Sequence, residues 1–539
     1  MSGLFDKKAT GATRREVRTQ KEQSARKKTR LVAVSVVSAV AILFAGALFV
    51  NSNYIRRTLP AITIGGVSFS AAEFDYFYST AYSEYAEMVN QYYSEIPDLA
   101  ASMLPSRDMS HSKQVYDQTS GETWADFFNG RATETMSGLV QFYNAAKAAG
   151  YVLSDETRER LEYQLSDLKM QGEWYSSMYP QNYPSADSFI QAMYGSSINE
   201  NVLRKVMEFI FTAASYGEHM RDSFTYSSDR LESYYNENHD DLDVYRYRMF
   251  LVRPETLYEE DFDSVEEYEA ANEAALDEAR ELAEQIALMI ETEEEFIEAA
   301  RAYDDYTYAS DNSTLREQQG ERLDANFEPW LCDEERAYGN VASIDLSFGT
   351  YVAFFIERDD NNYQMTAMRQ ILIMRDWLNP EDYPLGEDDP DYIEAFENAD
   401  RDVTERANEV YNLFVSGGSS EAKLLELIED GKSDDTTEGG YYEGMARFSY
   451  EYQSRDGYAM RVVPEIEQWL FDGERQVGDS ELVYTKDYGY HLIIYMEPGE
   501  LFRDHISADR MRIKDFTDWT ESLPEVEAVR KWAFLFTQS

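Results

Sequence analysis

The chemistry open to this protein is limited by how few thiol and imidazole side chains its 539 residues contain. Cys332 is the single cysteine, which excludes an intramolecular disulfide and any zinc site built from paired cysteines. The histidines lie too far apart in sequence for a helical metal motif; they are His111, His219, His239, His491 and His505. The sequence therefore contains no metal motif built on cysteine or histidine.

Charge excludes further classes of function. The sequence has 102 acidic and 49 basic residues, and its formal net charge is −53. Nucleic acid is therefore excluded as a partner, because phosphate contacts need Lys and Arg. The acidic runs at 293–295 and 387–389 lack the spacing of a calcium-binding loop, so solvated loops are favoured there. No G-x-x-x-x-G-K-[ST] nucleotide loop occurs, and the sequence predicts no metal and no cofactor.

One pattern occurs twice in the second half of the sequence, which indicates two copies of one domain. The matching segments are Trp330-Leu331-x-Asp333-x-Glu335-Arg336-x-x-Gly339 and Trp469-Leu470-x-Asp472-x-Glu474-Arg475-x-x-Gly478, followed by Phe348-Gly349 and Tyr488-Gly489. Each copy opens with an apolar strand (244–252 or 368–376), followed by an acidic insertion and two helices. A closing strand pair completes a β-α-α-(α)-β-β domain of about 120–135 residues.

The region before the two copies, residues 60–240, is predicted to be mostly helical. PAITIGGVSFS at 60–70 predicts two short strands joined by a Gly65-Gly66 turn, and Ser70 then caps a helix rich in Phe and Tyr. Such an aromatic stripe is more often core than ligand site, although enough rings remain for a peptide-binding groove. The apolar face of a last predicted helix, near EVEAVRKWAFLF, consists of Val526, Val529, Trp532 and Leu535.

The N-terminal part has the composition of a membrane anchor. Residues 1–30 hold ten basic and three acidic groups, and an uncharged apolar run from Leu31 to Val50 follows. At 1.5 Å per residue this run spans the ~30 Å hydrocarbon core, so it predicts a transmembrane helix. The positive-inside rule places the N-terminus in the cytoplasm and the rest outside. A signal peptide cleaved near Ala45-Gly46-Ala47 is the rival interpretation, but the length of both segments favours an uncleaved anchor.

Four segments of the second copy together resemble the parvulin (PpiC-type) family of peptidyl-prolyl isomerases. In the order in which the family has them, they are Ser433-Asp434-Asp435, Gly439-Gly440, Val463-Pro464-Glu465-Ile466-Glu467 and Gly489-Tyr490-His491-Leu492-Ile493-Ile494. A helical module followed by parvulin-like domains is similar to the SurA/PrsA-type extracytoplasmic foldases, and the likeness covers most of residues 55–500. The resemblance implies faster rotation about X-Pro peptide bonds, whose barrier is ~18–20 kcal/mol.

Carried over position by position, the resemblance implies a partly altered site in the second copy. The implied catalytic set is His491, Asp435 (or its neighbour Asp434) and Gln370. The implied substrate-binding set is Tyr442, Val462 and Ile466, of which the last two stand near the family's proline pocket. Gln370 takes the place of the first of two family histidines, and its amide can form hydrogen bonds but cannot titrate. Isomerase activity in this copy is therefore left open.

The first copy departs further from the family. Met249 and Tyr351 stand at or next to the two histidine positions, and a single glycine, Gly320, replaces the Gly-Gly pair. We therefore expect this copy to keep the fold, and a peptide groove, without isomerase activity.

The sequence thus predicts an α+β protein with an N-terminal transmembrane helix, a mostly helical SurA-N-like chaperone domain, two tandem parvulin-like domains and a C-terminal helix. The predicted segments are 1–30 (basic, cytoplasmic), 31–50 (anchor), 51–240 (helical domain), 241–362 and 363–500 (the two copies) and 501–539 (helical tail). The predicted function is that of a single-pass, membrane-anchored foldase that binds unfolded, newly exported polypeptides and their X-Pro segments. The alternative is a non-catalytic surface scaffold that reuses the parvulin fold.

Overall fold

The computed structural model describes residues 52–94, 96–106, 108–386, 389–447, 452–453, 459–460, 463–471 and 473–531. The protein is α+β and divides into two compact units. One unit comprises the residues before 225 together with those from 514 onward, and the other runs from 225 to 513. The first is mainly helical, whereas the second contains both copies of the repeated pattern.

The first unit packs its helices around a small antiparallel sheet. This sheet contains β1 (Pro60–Ile64) and β2 (Val67–Ser70), whereas β3 (Val115–Asp117) and β4 (Glu122–Thr123) form a separate two-stranded sheet. Its helices are Asn53–Thr58, Ala71–Tyr92, Pro97–Ser102, Trp124–Ala149, Asp155–Met178, Ala186–Tyr194 and Glu200–Ser223, with a 3-10 turn at His111–Lys113. Ser70 begins the first long helix with a capping box, because its hydroxyl accepts the amide of Glu73 while the Glu73 carboxylate accepts the amide of Ser70.

The second unit begins with the helix Ser228–Leu242 and continues with the two copies. The first copy consists of β5 (Val244–Val252), helices Val265–Ala287 and Glu293–Tyr303, β6 (Leu315–Gln319), helix Glu328–Leu331, β7 (Val341–Leu346) and β8 (Gly349–Asp359), with 3-10 turns at Glu259–Asp261 and Gly320–Arg322. The second consists of β9 (Gln364–Met374), helices Pro390–Ser416 and Glu421–Glu429, β10 (Tyr441–Met445), β11 (Tyr452–Gln453), β12 (Ala459–Met460), helix Pro464–Phe471, β13 (Ser480–Thr485) and β14 (Gly489–Leu501), with 3-10 turns at Pro380–Asp382 and Glu438–Gly440.

The two copies have the same sheet topology. The strand order is β6-β5-β8-β7 in the first and β10-β9-β14-β13 in the second, and every neighbouring pair is antiparallel. Alternate residues of each strand face opposite sides of the sheet. In the second copy Ile371 and Ile373 therefore pack against the helices Pro390–Ser416 and Glu421–Glu429, whereas Met368 packs with Ile466 of the helix Pro464–Phe471.

The repeated Trp and Arg residues are structural. The guanidinium of Arg336 lies 4.6 Å from the centroid of the Trp330 ring, and its Nε donates to the Trp330 carbonyl at 2.8 Å. Arg475 and Trp469 repeat this arrangement at 4.7 Å and 2.7 Å. Each pair combines a cation–π contact with a hydrogen bond that satisfies a carbonyl at a helix end. We call these two arrangements the Arg–Trp pairs.

The backbone conformation explains why the repeated pattern contains a glycine. Gly339 and Gly478 have φ values of 85° and 93°, a region that favours glycine. The amide of Gly339 donates to the carbonyl of Phe355 at 3.0 Å, and that of Gly478 donates to Tyr495 at 2.9 Å. Each glycine therefore turns the backbone into the closing strand pair of its copy.

The predicted helix at the C-terminal end is wrong. A helix does precede this segment, at Phe502–Ser522, but residues Ala528–Arg530 form a strand, β15, that pairs antiparallel with β1. Val526 and Ala528 pack against the core of the first unit, whereas Val529 is 48% exposed. This alternation suits a strand, and pairing with the open edge of β1 outweighs the helical spacing seen in sequence. The other two residues of the predicted face, Trp532 and Leu535, lie outside the described residues.

The prediction of a transmembrane helix, and with it of a single-pass protein of the cell membrane, is also corrected. Across the described ranges no helix is both long and apolar enough to cross a membrane. The long helices carry charges along their length and bury only one face, as the helix Glu200–Ser223 does with Val202 and Val206. The predicted anchor, Leu31 to Val50, and the basic segment before it lie outside the described residues.

Candidate functional site

Strands β9 and β14 bring Gln370 and His491 to the same face of the second copy's sheet. Gln370 pairs with Ile493 and His491 pairs with Leu372, so the two polar residues are diagonal neighbours across the ladder. Both are buried, with 5% of Gln370 and 3% of His491 exposed. Polar side chains buried this deeply need hydrogen-bond partners.

Those partners form a continuous series of hydrogen bonds. Nδ1 of His491 lies 2.8 Å from Oε1 of Gln370, and Nε2 of Gln370 donates to Oδ2 of Asp435 at 2.8 Å. The hydroxyl of Tyr442 donates to the same carboxylate oxygen at 2.7 Å. At the other end, the hydroxyl of Thr485 lies 3.1 Å from Nε2 of His491. We call these five residues the polar network.

The polar network determines the tautomer of His491. Because the amide nitrogen of Gln370 donates to Asp435, its oxygen faces His491 and can only accept. Nδ1 of His491 must therefore carry a proton, which leaves Nε2 to accept from the hydroxyl of Thr485. Burial lowers the pKa of His491 to about 4, although the nearby Asp435 carboxylate opposes this. The imidazole is accordingly neutral at neutral pH.

Tyr442 is uncharged for a similar reason. Burial, and to a smaller extent its contact with Asp435, raises the pKa of Tyr442 to about 12. Its hydroxyl therefore remains a donor to Asp435, and it also lies 2.9 Å from the hydroxyl of Thr437.

The loop before β10 holds Asp435 in place. The hydroxyl of Ser433 accepts the amides of Leu372 and Asp435, each at 3.2 Å, and the other Asp435 oxygen accepts the amide of Thr437 at 2.9 Å. Gly440 then approaches β9 so closely that a Cβ would lie 2.2 Å from the carbonyl oxygen of Gln370, and its φ is 58°. Only glycine meets both requirements, so Gly440 allows the loop to reach the sheet.

An open pocket lies over the polar network. Its volume is about 280 Å³, and His491, Gln370, Asp435 and Tyr442 line it together with mainly apolar side chains. The apolar lining comes from Met368, Leu372, Met374, Met445, Val463, Ile466 and Tyr488. Of the predicted substrate-binding residues, Tyr442 and Ile466 line the pocket, and Val462 lies outside the described residues.

Sequence reasoning missed several residues of this lining. Met368, Leu372 and Met374 alternate with the core-facing residues of β9, so they share the face of Gln370. That alternation was visible in MRQILIM and could have identified them. Asp434, the alternative to Asp435, instead accepts the amide of Met374 at 2.8 Å and is not part of the polar network.

The ladder registers show which residues of the first copy occupy the same places. Met249 pairs with Ala353 as Gln370 pairs with Ile493, so Met249 takes the position of Gln370. Two positions along the ladder, Tyr351 pairs with Leu251 as His491 pairs with Leu372, so Tyr351 takes the position of His491. Arg316 of β6 takes the position of Tyr442. Arg248 pairs with Leu315 as Arg369 pairs with Tyr441, and Arg316 and Tyr442 are the next residues along their strands. Met249 and Tyr351 cannot reproduce the polar network, since a thioether is a poor hydrogen-bond partner.

Elsewhere in the part of the protein that the structure describes, no site supports metal or thiol chemistry. Among the described residues, no group of His, Cys, Asp and Glu side chains could hold a metal ion. Cys332 is partly buried against the core of the first copy, and burial raises the pKa of its thiol, which makes it a poor nucleophile. Asp389, at the end of one acidic run, caps the helix Pro390–Ser416.

No protein-family model and no curated protein matches this sequence. Among solved structures, the protein is similar to the crystal structure of PrsA from Bacillus subtilis, with 14% sequence identity. The match covers 44% of the protein described here and 73% of PrsA, and its TM-score is 0.14.

Proposed function

We propose that this protein is a polypeptide-binding foldase whose second copy accepts X-Pro segments and accelerates their cis-trans isomerisation. The observation that carries the proposal is the open apolar pocket above a buried, uncharged His491 and its hydrogen-bonded partners. The resemblance of the surrounding motifs to parvulins agrees with it. A pocket filled by side chains would have argued against isomerase activity.

The pocket suits the physical requirements of amide rotation. The planar amide is stabilised by resonance, which gives it a barrier of ~18–20 kcal/mol and makes it more polar than the twisted form. Moving it from water to an apolar pocket therefore disfavours the planar ground state relative to the twisted transition state. Met368, Met445 and Ile466 supply such walls, and the low pKa of His491 keeps the imidazole itself uncharged. The polar network fixes the imidazole against the bound segment.

A second cavity beside the pocket favours a polypeptide over a single proline residue. It has a volume of about 670 Å³, and Tyr488 lines both cavities. Its other aromatic rings include Trp377, which is 82% exposed, and Phe396, which is held by a cation–π contact with Arg375 at 4.0 Å. Residues next to the proline could pack against these rings.

The helical unit supplies a surface for unfolded polypeptides. The helix Asp155–Met178 exposes Tyr163, Met170, Trp174 and Met178, whose spacing of seven, four and four places them on one face. Methionine and aromatic side chains adapt to varied apolar partners. This exposed stripe supports weak, broad binding of unfolded polypeptides.

The proposal is tested by NMR exchange spectroscopy of cis-trans rates in Ala-X-Pro-Ala peptides with the full-length protein. We expect acceleration with the wild type and a loss of about tenfold or more in His491→Ala, comparable to removal of a preorganised polar group. Tyr351→Ala, at the same ladder position in the first copy, is the matched control and should retain the wild-type rate. Equal rates with and without the wild-type protein would contradict the isomerase assignment.

A further inference from the structure

The first copy has its own cavity at the place of the isomerase pocket, with different chemistry. It measures about 330 Å³ and lies between Tyr351 and Met249 of the sheet and Phe327. Phe327 precedes Trp330 by three residues, as Ile466 precedes Trp469, so the two cavities correspond position by position. The first copy has therefore kept an opening at this place while its lining has changed.

The change introduces two guanidinium groups. Arg316 stands at the ladder position of Tyr442, and Arg322 lines the same cavity from the 3-10 turn after β6. Of the guanidinium nitrogens of Arg316, only Nη1 forms hydrogen bonds among the described residues, and it donates to the carbonyl oxygens of Ser313 and Leu315. Within the described residues neither arginine forms an ion pair, and Arg322 forms no side-chain hydrogen bond.

Carboxylate groups that could pair with these arginines are abundant in this protein. It has 102 carboxylate side chains, and neighbouring arginines of the first copy use them: Arg248 pairs with Glu293 at 2.7 Å and Arg280 with Asp345 at 2.8 Å. One carboxylate, Asp324, does line the cavity, but its Oδ1 accepts from the amide and side chain of Asn326. Two guanidinium groups against one carboxylate leave the cavity with a net positive charge, and neither arginine forms an ion pair with Asp324 among the described residues.

Four of the other lining residues are aromatic: Tyr247, Phe327, Phe348 and Tyr351. Phe327 and Tyr351 pack edge to face with ring centroids 5.2 Å apart, and Tyr247 stacks on Phe327 at 6.5 Å. The hydroxyl of Tyr247 donates to Gln318 at 2.8 Å, and Phe348 at the rim is 55% exposed. The cavity can therefore hold an apolar side chain beside a negative charge.

We propose that this cavity binds a polypeptide segment through a carboxylate that neighbours an aromatic or large apolar residue. A guanidinium presents parallel N–H donors that match the two oxygens of a carboxylate, and this pairing strengthens where aromatic walls exclude water. The carboxylate can come from an Asp or Glu side chain or from the C-terminus of a polypeptide, since both present the same group. The proposal does not depend on isomerisation in the second copy, whose pocket has no arginine lining it among the described residues.

The test uses the full-length protein with 13C-methyl-labelled methionine. Met249 lines the first cavity, and Met368 and Met445 line the second, so their methyl resonances report where a peptide binds. Three N-acetylated peptides are titrated: Ala-Phe-Glu-Ala amide, Ala-Phe-Gln-Ala amide, and Ala-Phe-Gln-Ala with a free C-terminus. We expect the Met249 resonance to shift, with one or both carboxylate peptides binding about tenfold more tightly than the neutral peptide. Which of the two does so identifies the source of the carboxylate.

Arginine variants connect the preference to the cavity. In Arg316→Gln and in Arg322→Gln the advantage of the carboxylate peptide should fall to about twofold or less. Arg160→Gln removes the same charge from an exposed position on the helix Asp155–Met178 and should leave the advantage intact. Because Arg322 is exposed, its replacement tests the proposal even if Arg316→Gln perturbs folding.

The proposal is overturned by any of three results. These are equal affinity for all three peptides, a carboxylate preference that survives Arg322→Gln, and shifts confined to Met368 and Met445. The last result would assign peptide binding to the second copy alone. Loss of isomerase activity in His491→Ala bears on the other pocket and leaves this outcome unaffected.

Discussion

The two copies of the repeat share a framework and differ in what their pockets present. Both have the same strand order, the same Arg–Trp pair and a glycine of positive φ before the closing strands. The second copy lines its pocket with a neutral imidazole and its hydrogen-bonded partners, whereas the first places two arginines among aromatic rings. The repeated pattern visible in sequence therefore belongs to the framework, and function has to be read from residues that do not repeat.

The difference follows from a few ladder positions. Gln370 and His491 can form hydrogen bonds to each other and to Asp435, so the second copy can bury polar groups at its pocket. Met249 and Tyr351 cannot continue such a network, and the first copy lines its cavity on the same face with aromatic rings instead. Substitutions at matched positions of the two copies therefore test whether these residues account for the difference.

The largest effect is expected from Gly440→Ala. The new Cβ would meet the carbonyl oxygen of Gln370 at a residue whose φ is 58°, so steric overlap and backbone strain together should cost about 3 kcal/mol. The first copy has Thr314 at this ladder position, and it needs no glycine because it has no positive φ. Hydrogen exchange of the β9 and β10 amides measures the loss.

Gly431→Ala is the control for that prediction. Gly431 also has a positive φ, 70°, but a Cβ there would meet nothing within 4 Å. Strain alone should cost about 1 kcal/mol. Equal losses in the two variants would mean that close approach of the loop to β9 contributes nothing, and would remove the physical reason for the Gly-Gly difference between the copies.

The next prediction concerns how the stability of the second copy depends on pH. Among the described residues, His491 is the only histidine that lines either cavity. The pKa of His491 is about 4 in the folded protein and about 6.5 in the unfolded protein. Between these two pH values, His491 is therefore protonated in the unfolded state but not in the folded state. The free energy of unfolding therefore includes a contribution from neutral His491 of about 3 kcal/mol. This contribution is fully present above pH 6.5 and is lost as the pH falls to 4.

NMR titration of the histidine Cε1–H resonances checks this prediction directly. The resonance absent in His491→Gln identifies the residue, and its midpoint should lie near pH 4. A midpoint of 6 or above would show a solvated imidazole and would contradict the buried polar network. The matched variant Tyr351→Phe should leave the titration of His491 unchanged.

The sequence predicted the elements that carry strong apolar patterns and failed where the pattern was weak. The runs at 244–252 and 368–376 lie within β5 and overlap β9, and the resemblance brought Gln370, Asp435 and His491 into one set that the structure places in contact. The edge strands β6 and β10 were missed, because LREQQ and YYEGM lack alternating apolar residues.

Missing those edge strands had a consequence for function. Without β6, Gly320 was the only residue that could be aligned with Gly439-Gly440. The ladder registers instead make Thr314 equivalent to Gly440, and Arg316 equivalent to Tyr442. The arginines of the first cavity therefore could not be connected to the pocket from sequence alone. The same ambiguity of short apolar runs turned the strand at Ala528–Arg530 into a predicted helix.

The smallest effect is predicted for the feature that the copies share. Arg336→Ala and Arg475→Ala each remove one cation–π contact and one hydrogen bond to a Trp carbonyl, and each should cost about 1 kcal/mol. Arg336→Ala also removes an ion pair with the half-exposed Asp333, which adds little to the cost because solvent screens it. Hydrogen exchange of the β8 and β14 amides measures the two losses, with Arg→Lys variants as controls that keep the charge but not the planar group. Because the Arg–Trp pairs are structural, peptide binding and isomerisation should be unchanged. A loss of binding in one variant without a loss of protection would instead assign the repeated pattern to function, and the comparison between framework and pocket would fail.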